Sequence, residues 1–417
     1  MKGAPAGPPE PRCARAARVI VPVMDVPALQ RALGELGLDG WLLYDFHGQN
    51  PTAVNVLGLA GKMLTRRFFA LFPREGEPTL IVHAIERTQF PPELPGRREV
   101  YASWMSLQAA LSRALGALPR GAKVAMEYCP GGTIPTLSRV DAGTLELVRS
   151  HGVEVVSSAD LVQRFFCRLD PAQVESHRRA LAAIDAAKDA AFARIGEAHR
   201  RGEAPLETEI QAFLMDRFRA AGLETDHPPI VAVNGHAADP HYAPSEATRT
   251  PIRKGDLVLI DLWARGTGPR DVYADITWVG FCGERPPERL ERIFRVAADA
   301  RDAGLEALRR AHAERRTLAG FEVDRAVRGV VEAAGLGDRF LHRTGHSIET
   351  RVHGDGANLD DLETHDTRPL VPGLCFSIEP GIYLPDEGLG VRTEIDVFLA
   401  DDGPKVFSKI QTEIVPI

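Results

Sequence analysis

Four acidic side chains in the second half of the chain are set in apolar, strand-like runs, and they constrain the fold more than any other feature. They form two pairs, each split by a loop rich in turn residues: Asp261 with Asp275, and Glu379 with Glu394. Such runs on either side of a turn predict two antiparallel hairpins. A carboxylate in an apolar strand is costly unless it faces solvent at a strand edge or meets a compensating charge. Two such hairpins in one chain favour the compensating charge, which a metal ion between the carboxylates would supply.

Histidines near these acids offer nitrogen ligands. His342, His346 and His353 lie within one short segment, and His241 stands shortly before the first acidic strand. Any one of them alone is more often an ordinary core or surface residue than a ligand. Four carboxylates and one imidazole would form an oxygen-rich site for two divalent cations. That ligand set suits Mn²⁺, with Zn²⁺, Co²⁺ or Fe²⁺ as alternatives, better than a metal selected by thiolates.

Composition narrows the class of protein. The chain has 417 residues, enough for two domains, and its 44% apolar and 26% charged residues are ordinary for a soluble globular protein. A net charge of −7 argues against a nucleic-acid-binding surface. Five dispersed cysteines without a CxxC pair exclude a disulfide scaffold or thiolate zinc finger and favour a reducing cytosol. With no run of about 20 apolar residues and no signal-peptide core, we expect a cytoplasmic protein without membrane or nucleic-acid partners.

The pattern of secondary structure changes once along the chain. Strand and helix signals alternate up to about residue 158, which predicts an α/β domain on a mixed or parallel sheet. A long Ala- and Arg-rich helix starting at Pro171 and three further helices then accompany the acidic strands. We therefore predict a flexible lead-in at residues 1–25, an α/β domain at 26–167 and an α+β domain at 168–417.

The order of the chemistry-bearing residues resembles that of the pita-bread metallopeptidases. A HisTyr segment is followed by Asp, Asp, GlyHis, GluProGly and ArgxGlu elements in that order. The chain is most similar to the proline-specific branch, the Xaa-Pro dipeptidases (prolidases) and aminopeptidase P. Its first 165 residues resemble the creatinase/prolidase N-terminal domain, including the segment 72–78. The resemblance implies an α/β N-terminal domain, an α+β pita-bread catalytic domain, and a hydrolase with two divalent metal ions.

The same resemblance implies a role for each matching residue. The implied metal ligands are Asp261, Asp275, His346, Glu379 and Glu394. Within that set, Asp275 and Glu394 would bridge the two metals. Glu379 would also accept the proton of the attacking water, His353 would contact substrate and donate to the developing oxyanion, and His241 would help to protonate the leaving proline nitrogen.

Arg392 bears on substrate length, where the family divides. If Arg392 and Glu394 lie in one strand, their side chains share a face, and the guanidinium could pair with a free proline carboxylate. This favours a dipeptidase acting on Xaa-Pro; the alternative is aminopeptidase P acting on longer Xaa-Pro peptides. Arg392 could instead serve only to neutralise the acidic cluster. A non-catalytic pita-bread binding protein is a remote alternative, because such relatives lose ligands and this chain keeps all five.

Three features depart from the family pattern. The separation of Asp261 and Asp275 is longer than usual, Gly354 follows His353 where an acidic residue is common, and Trp278 stands where Arg is common. The two residue changes are expected to alter the substrate pocket. The resemblance also implies a homodimer in which the N-terminal domain borders the partner's active site.

Overall fold

The computed structural model describes residues 25–417, so the predicted lead-in lies outside the described residues except for Asp25. The chain divides into two compact units. One holds the described residues up to Met126 together with Val140–Val155, and the other holds Glu127–Arg139 together with Val156–Ile417. The domain boundary at residue 168 stays a prediction. No helix among residues 25–417 is both long and apolar enough to cross a membrane.

Within its described part, the first unit is built on a six-stranded mixed sheet. Its strands are β1 (Gly40–Asp45), β2 (Phe68–Pro73), β3 (Thr79–His83), β4 (Arg97–Tyr101), β5 (Lys123–Met126) and β6 (Glu154–Ser157), the last two residues of β6 being counted with the second unit. Its helices are α1 (Val26–Glu35), α2 (Pro51–Val56), α3 (Trp104–Gly116) and α4 (Ala142–Arg149). The spatial order is β4-β3-β2-β1-β5-β6, with β1 antiparallel to β2 and parallel to β5. The predicted α/β fold is confirmed.

Strand β4 is the element of this sheet that the sequence did not reveal. It lies at the sheet edge and reads Arg-Arg-Glu-Val-Tyr, with Arg97, Arg98 and Val100 exposed. Charged side chains on an edge strand discourage pairing with other chains, and they also remove the apolar pattern from which strands are predicted. Strand β1, by contrast, is buried along its whole length and was predicted from its apolar residues.

The second unit combines helices with three sheets. Its helices are α5 (Ala159–Val162), α6 (Pro171–Arg200), α7 (Glu207–Ala220), α8 (Glu288–Ala313) and α9 (Gly320–Ala333). Its strands are β7 (Leu223–Glu224), β8 (Ile230–Val233), β9 (Leu257–Gly266), β10 (Ala274–Phe281), β11 (Cys375–Ile378), β12 (Gly381–Leu384), β13 (Leu389–Arg392), β14 (Ile395–Ala400), β15 (Gly403–Val406) and β16 (Val415–Pro416). The first sheet has the strand order β16-β10-β9-β7, and β8 also pairs with β9. The second sheet has the order β11-β14-β15, and the third consists of β12 and β13.

Local signals position helices α6 and α7 against the first sheet of this unit. Helix α6 begins with Pro171, and the Asp170 side chain caps it by accepting a 2.9 Å hydrogen bond from the backbone of Gln173. Helix α7 ends before Gly222, which adopts a φ of 70°. The apolar faces of both helices pack on strands β9 and β10 to form the core of the unit. These two predicted helices are confirmed.

Both predicted hairpins form, but the second is interrupted. Strands β9 and β10 pair antiparallel, with Asp261 opposite Thr277. Strand β11 pairs with β14 and β12 with β13, so the chain makes one long hairpin that is broken in both arms. At the breaks, the backbone N–H of Glu379 donates to Thr344 and that of Glu394 to Thr277, at 2.8 and 3.3 Å, instead of across the hairpin.

This interruption corrects one expectation about Arg392. Arg392 is the last residue of β13, and Glu394 lies in the two-residue connection to β14. The two residues therefore do not belong to one strand, but their side chains still meet at Thr277 Oγ1, which accepts from Arg392 Nε at 3.1 Å and donates to Glu394 Oε2 at 2.8 Å. The partner arm breaks at Pro380, which has no N–H to donate to a strand ladder.

Candidate metal centre and active site

A cavity of about 620 Å³ in the second unit gathers the candidate residues. Its lining includes all eight residues singled out from the sequence: His241, Asp261, Asp275, His346, His353, Glu379, Arg392 and Glu394. Side chains alternate between the two faces of a strand, and Ile260, Leu262, Ala274 and Ile276 occupy the helix-packed face. Asp261 and Asp275 consequently point away from that core and into the cavity.

Three of the five predicted ligands form a compact, buried group. Ligand atoms of Asp275, His346 and Glu394 all lie within 4.8 Å of one another. Glu379 adjoins this group, with its Oε1 at 3.3 Å from Nε2 of His346. Asp261 faces the group from the neighbouring strand and contacts Arg392, whose Nη2 lies 2.5 Å from Oδ2 of Asp261.

Gly345 lets the histidine segment lie directly against β11. A Cβ at this position would stand 1.9 Å from the carbonyl oxygen of Ser377, so a larger residue would push the segment away. The backbone N–H of His346 then donates to Ser377 Oγ at 3.0 Å, and that hydroxyl donates to Glu379 Oε1 at 3.0 Å. Ser377 thereby fixes two predicted ligands relative to each other.

The environment of the predicted ligand atoms is suited to divalent metal ions. Asp275 Oδ1 and Glu394 Oε1 are buried and have no hydrogen-bond partner among the described residues. Burial raises the pKa of both carboxyl groups well above the ordinary value, and the neighbouring acids raise it further. Buried carboxylate oxygens that repel each other and lack donors are stabilised by a divalent cation.

Glu379 has a related environment. Burial raises its pKa to about 7, although the positive charge of Arg392 acts in the opposite direction. Its side chain is still 16% exposed to the cavity, more than those of Asp275 and His346. A carboxyl group that is open to the cavity and titrates near neutral pH is suited to exchange protons with water.

Arg392 is almost wholly engaged by the protein. Its Nε donates to Thr277 Oγ1 at 3.1 Å, and its Nη1 donates to Tyr383 Oη at 2.9 Å. With Nη2 on Asp261, each guanidinium nitrogen has a protein acceptor. This geometry matches the second of the two uses considered for Arg392, in which it offsets the negative charge of the cluster.

Sequence reasoning missed two groups that surround Asp275. Asp396 is fully buried, and its Oδ2 accepts a 2.8 Å hydrogen bond from the backbone N–H of Asp275. The same oxygen lies 3.8 Å from Nε2 of His177, a buried histidine of helix α6. Burial lowers the pKa of His177 to about 4. The available signal was the position of Asp396, a further acid two residues after Glu394 in the same apolar run.

Both predicted catalytic histidines line the cavity and have exposed side chains. The ring of His353 stands 4.3 Å from that of His346, almost perpendicular to it, and desolvation by the surrounding protein lowers its pKa. His241 is exposed at the cavity. The neighbouring Tyr242 anchors its segment by donating to the fully buried Glu207 at 2.7 Å.

Trp278 does not alter the substrate pocket, contrary to the expectation from sequence. It lies on the helix-packed face of β10, in the core, and is absent from the lining of the described cavity. The ammonium group of Lys188 in helix α6 stands 3.3 Å from the centre of its ring. Lys188 also lies 3.0 Å from both Asp185 and Asp189, so Trp278 packs against a buried, paired cation on the helix-packed face of the sheet.

Gly354, the other residue that differs from the family pattern, lies directly against the side chain of Glu349. A Cβ at position 354 would stand 2.6 Å from the carboxyl carbon of Glu349. That carboxylate is fixed, because its Oε1 accepts hydrogen bonds of 2.9 Å from Ser347 Oγ, 3.0 Å from the N–H of Asp355 and 2.9 Å from the N–H of Gly356. Glu349 therefore fills the space into which a side chain at 354 would project.

We expect Gly354→Asp to destabilise the protein by about 1–3 kcal/mol, as overpacking does in other buried sites. Activity should fall with it, because the adjacent His353 is displaced. The double variant Glu349→Gly/Gly354→Asp should recover part of both losses, and Glu349→Gln is the control that keeps the shape. Thermal melting and peptide hydrolysis measure these effects; a Gly354→Asp protein as stable as wild type would contradict the steric argument.

Comparisons with known proteins identify the family. Metallopeptidase family M24 matches residues 175–401 of this chain. A probable dipeptidase PepE of Mycobacterium tuberculosis is 30% identical over 288 residues, 69% of this chain and 71% of that protein. An Xaa-Pro dipeptidase of Lactobacillus delbrueckii subsp. lactis is 32% identical over 231 residues, 55% of this chain and 58% of that protein.

Solved structures share the fold over nearly the whole chain. The dipeptidase PepE of Mycobacterium ulcerans superposes with a TM-score of 0.72 and 24% identity, covering 96% of this chain and all 100% of that one. A prolidase of Thermococcus sibiricus gives a TM-score of 0.61 and 21% identity over 94% of this chain and 98% of that one. The fold and the acid-rich cavity define a metallopeptidase.

The chain belongs to metallopeptidase family M24. The predictions of an enzyme of this class, with an α/β N-terminal domain and an α+β pita-bread domain, are confirmed. Membership of the family implies divalent metal ions as the cofactor, in agreement with the buried group of Asp275, His346 and Glu394.

Proposed function

We propose that this metallopeptidase hydrolyses the Xaa-Pro bond with two divalent metal ions, Mn²⁺ being favoured, and prefers free Xaa-Pro dipeptides. The observation that carries the proposal is the buried carboxylate cluster, in which one oxygen each of Asp275 and Glu394 has no partner among residues 25–417, in one cavity with five histidines. The proline specificity rests on relatives named Xaa-Pro dipeptidase and on the sequence resemblance.

Seven of the eight predicted residues have a task in the proposed reaction, and Arg392 offsets the negative charge of the acidic cluster. The metal ions would be held by Asp261, Asp275, His346, Glu379 and Glu394. When bound, they would supply Lewis-acid polarisation of the scissile carbonyl and a more acidic water. Glu379, oriented by the hydroxyl of Ser377, would accept the proton of the attacking water. His353 would donate to the developing oxyanion, and the exposed His241 would protonate the leaving proline nitrogen.

The proposal also covers the oligomeric state of the enzyme and its location in the cell. A homodimer follows from the resemblance alone and stays a prediction. A cytoplasmic location is supported by four buried cysteines that are free thiols, as in a reducing compartment. They are Cys129, Cys167, Cys282 and Cys375.

Hydrolysis of Ala-Pro and Ala-Pro-Ala with Mn²⁺, Co²⁺ or Zn²⁺ tests the proposal, with Ala-Ala as the control for proline specificity. We expect metal-dependent cleavage, fastest for Ala-Pro, and two metal ions per chain by elemental analysis. Faster cleavage of Ala-Pro-Ala would instead identify an aminopeptidase P; one relative, from Mycoplasma pneumoniae, is named a putative Xaa-Pro aminopeptidase. Full activity in chelator, with only trace metal after reconstitution, would refute the metal-dependent reaction.

A further inference from the structure

Two arginines line the described cavity, and their guanidinium groups differ in what they contact. All three nitrogens of Arg392 donate to other side chains. Arg343 is the opposite case: within residues 25–417 its guanidinium makes no hydrogen bond and no ion pair. Arg343 is thus the arginine of the described cavity that is free to meet a bound anion.

Hydrogen bonds to its N–H and its carbonyl fix the backbone of Arg343. Its N–H donates to Glu363 Oε1 at 3.0 Å, and its carbonyl accepts a 2.8 Å hydrogen bond from Nδ1 of His342. The side chain is half-buried. Arg343 lines the same cavity as the predicted catalytic histidine His353. A fixed backbone lowers the entropic cost of binding a ligand there.

The rest of the cavity disfavours an anionic ligand. The proposed metal ions would offset the charge of the four acidic ligand candidates, but the lining carries three further acids: Asp226, Asp239 and Glu363. A substrate carboxylate is therefore repelled unless a cation faces it. A guanidinium suits this task, because it forms two parallel N–H···O hydrogen bonds with a carboxylate.

We propose that Arg343 binds the free C-terminal carboxylate of an Xaa-Pro dipeptide. The inference rests on the proposed function and identifies the residue that sets the preference for dipeptides, a task for which the sequence had suggested Arg392. If the inference is right, removing the charge at position 343 weakens the binding of a dipeptide with a free carboxylate much more than the binding of the corresponding dipeptide amide.

Binding can be measured apart from catalysis in a Glu379→Ala background. Calorimetry with Ala-Pro and Ala-Pro-amide, at matched metal content, compares this protein with Glu379→Ala/Arg343→Met. We expect Glu379→Ala to bind Ala-Pro more tightly than the amide. Adding Arg343→Met should weaken the affinity for Ala-Pro by about 10- to 100-fold, as for a lost charge-assisted hydrogen-bonded pair. Arg339→Met is the matched control, since Arg339 is outside the cavity lining and 3.8 Å from Asp386.

In the otherwise wild-type enzyme, Arg343→Met should raise KM for Ala-Pro by a similar factor and change that for the amide far less. An equal loss for both ligands would overturn the inference, because Arg343 would then act on a part that they share. Unchanged binding of Ala-Pro would also overturn it. If wild type cleaves neither ligand but binding retains an Arg343-dependent carboxylate preference, the proposed reaction fails and the carboxylate site stands.

Discussion

Alanine in place of Glu379 is expected to abolish Xaa-Pro hydrolysis while the protein stays folded. Glu379 is both a predicted metal ligand and the predicted proton acceptor, so the substitution removes two functions at once. The side chain is partly exposed to the cavity, and Ser377 holds it by a hydrogen bond. Its removal opens no void in the apolar core and relieves repulsion among neighbouring acids. The melting temperature should therefore stay at or above that of wild type when metal is absent.

His353→Ala is the matched comparison for this variant. His353 is not a predicted ligand, so metal content should be retained, and turnover should fall by about 10²–10³-fold, as when an oxyanion donor is lost. Hydrolysis of Ala-Pro, elemental analysis and thermal melting of both variants test the assignment. Near-wild-type turnover in His353→Ala would show that its assigned role is wrong, and measurable turnover with full metal content in Glu379→Ala would contradict the role of proton acceptor.

The metal-free protein is expected to lose stability as pH rises from about 6.5 to 8. Burial raises the folded-state pKa of Glu379 to about 7 and those of Asp275 and Glu394 well above their ordinary values. An acid with a raised folded-state pKa contributes stability below its unfolded-state pKa, and this contribution disappears as pH rises through the folded-state value. Each such group that keeps its proton in the folded protein over this window, where the unfolded chain has lost it, costs on the order of 1–2 kcal/mol.

The lower limit of the window is set by buried histidines. Burial lowers the pKa of His177 to about 4 and that of His342 to about 3, so both oppose the trend below pH 6.5. Thermal melts in chelator at pH 6.5 and 8, repeated with Mn²⁺, measure the effect. Mn²⁺ should stabilise more at pH 8, because the metal binds deprotonated carboxylates of the folded state. A melting temperature that rises over this window in chelator would contradict the charge argument.

Much of the catalytic unit could be predicted because its signals are local. Apolar runs around Asp261 and Asp275 predicted the first hairpin, and β9 and β10 pair as expected. The capping of α6 by Asp170 and the glycine after α7 depend on residues within a few positions of each helix end. The types and order of the ligand candidates are also properties of the chain, and all of them line one cavity.

The partners of Arg392 could not be predicted in this way. Its position before Glu394 suggested a substrate contact, but its nitrogens are held by Thr277, Tyr383 and Asp261, the last being 131 residues away in sequence. Such contacts depend on how separate sheets come together, and no local pattern encodes them. Arg343 is the reverse case, because only the folded cavity shows that its charge lacks a partner within the part of the chain that the structure describes.

The sequence by itself determined which residues can bind metal, in what order they occur, and which strands and helices carry them, because strand alternation and helix caps act over a few residues. The tertiary structure alone decided the break between Arg392 and Glu394, the contact of Asp396 with the backbone of Asp275, and the placement of Trp278 in the core. The reason is that burial and charge compensation are properties of packed neighbours, and those neighbours come from distant parts of the chain.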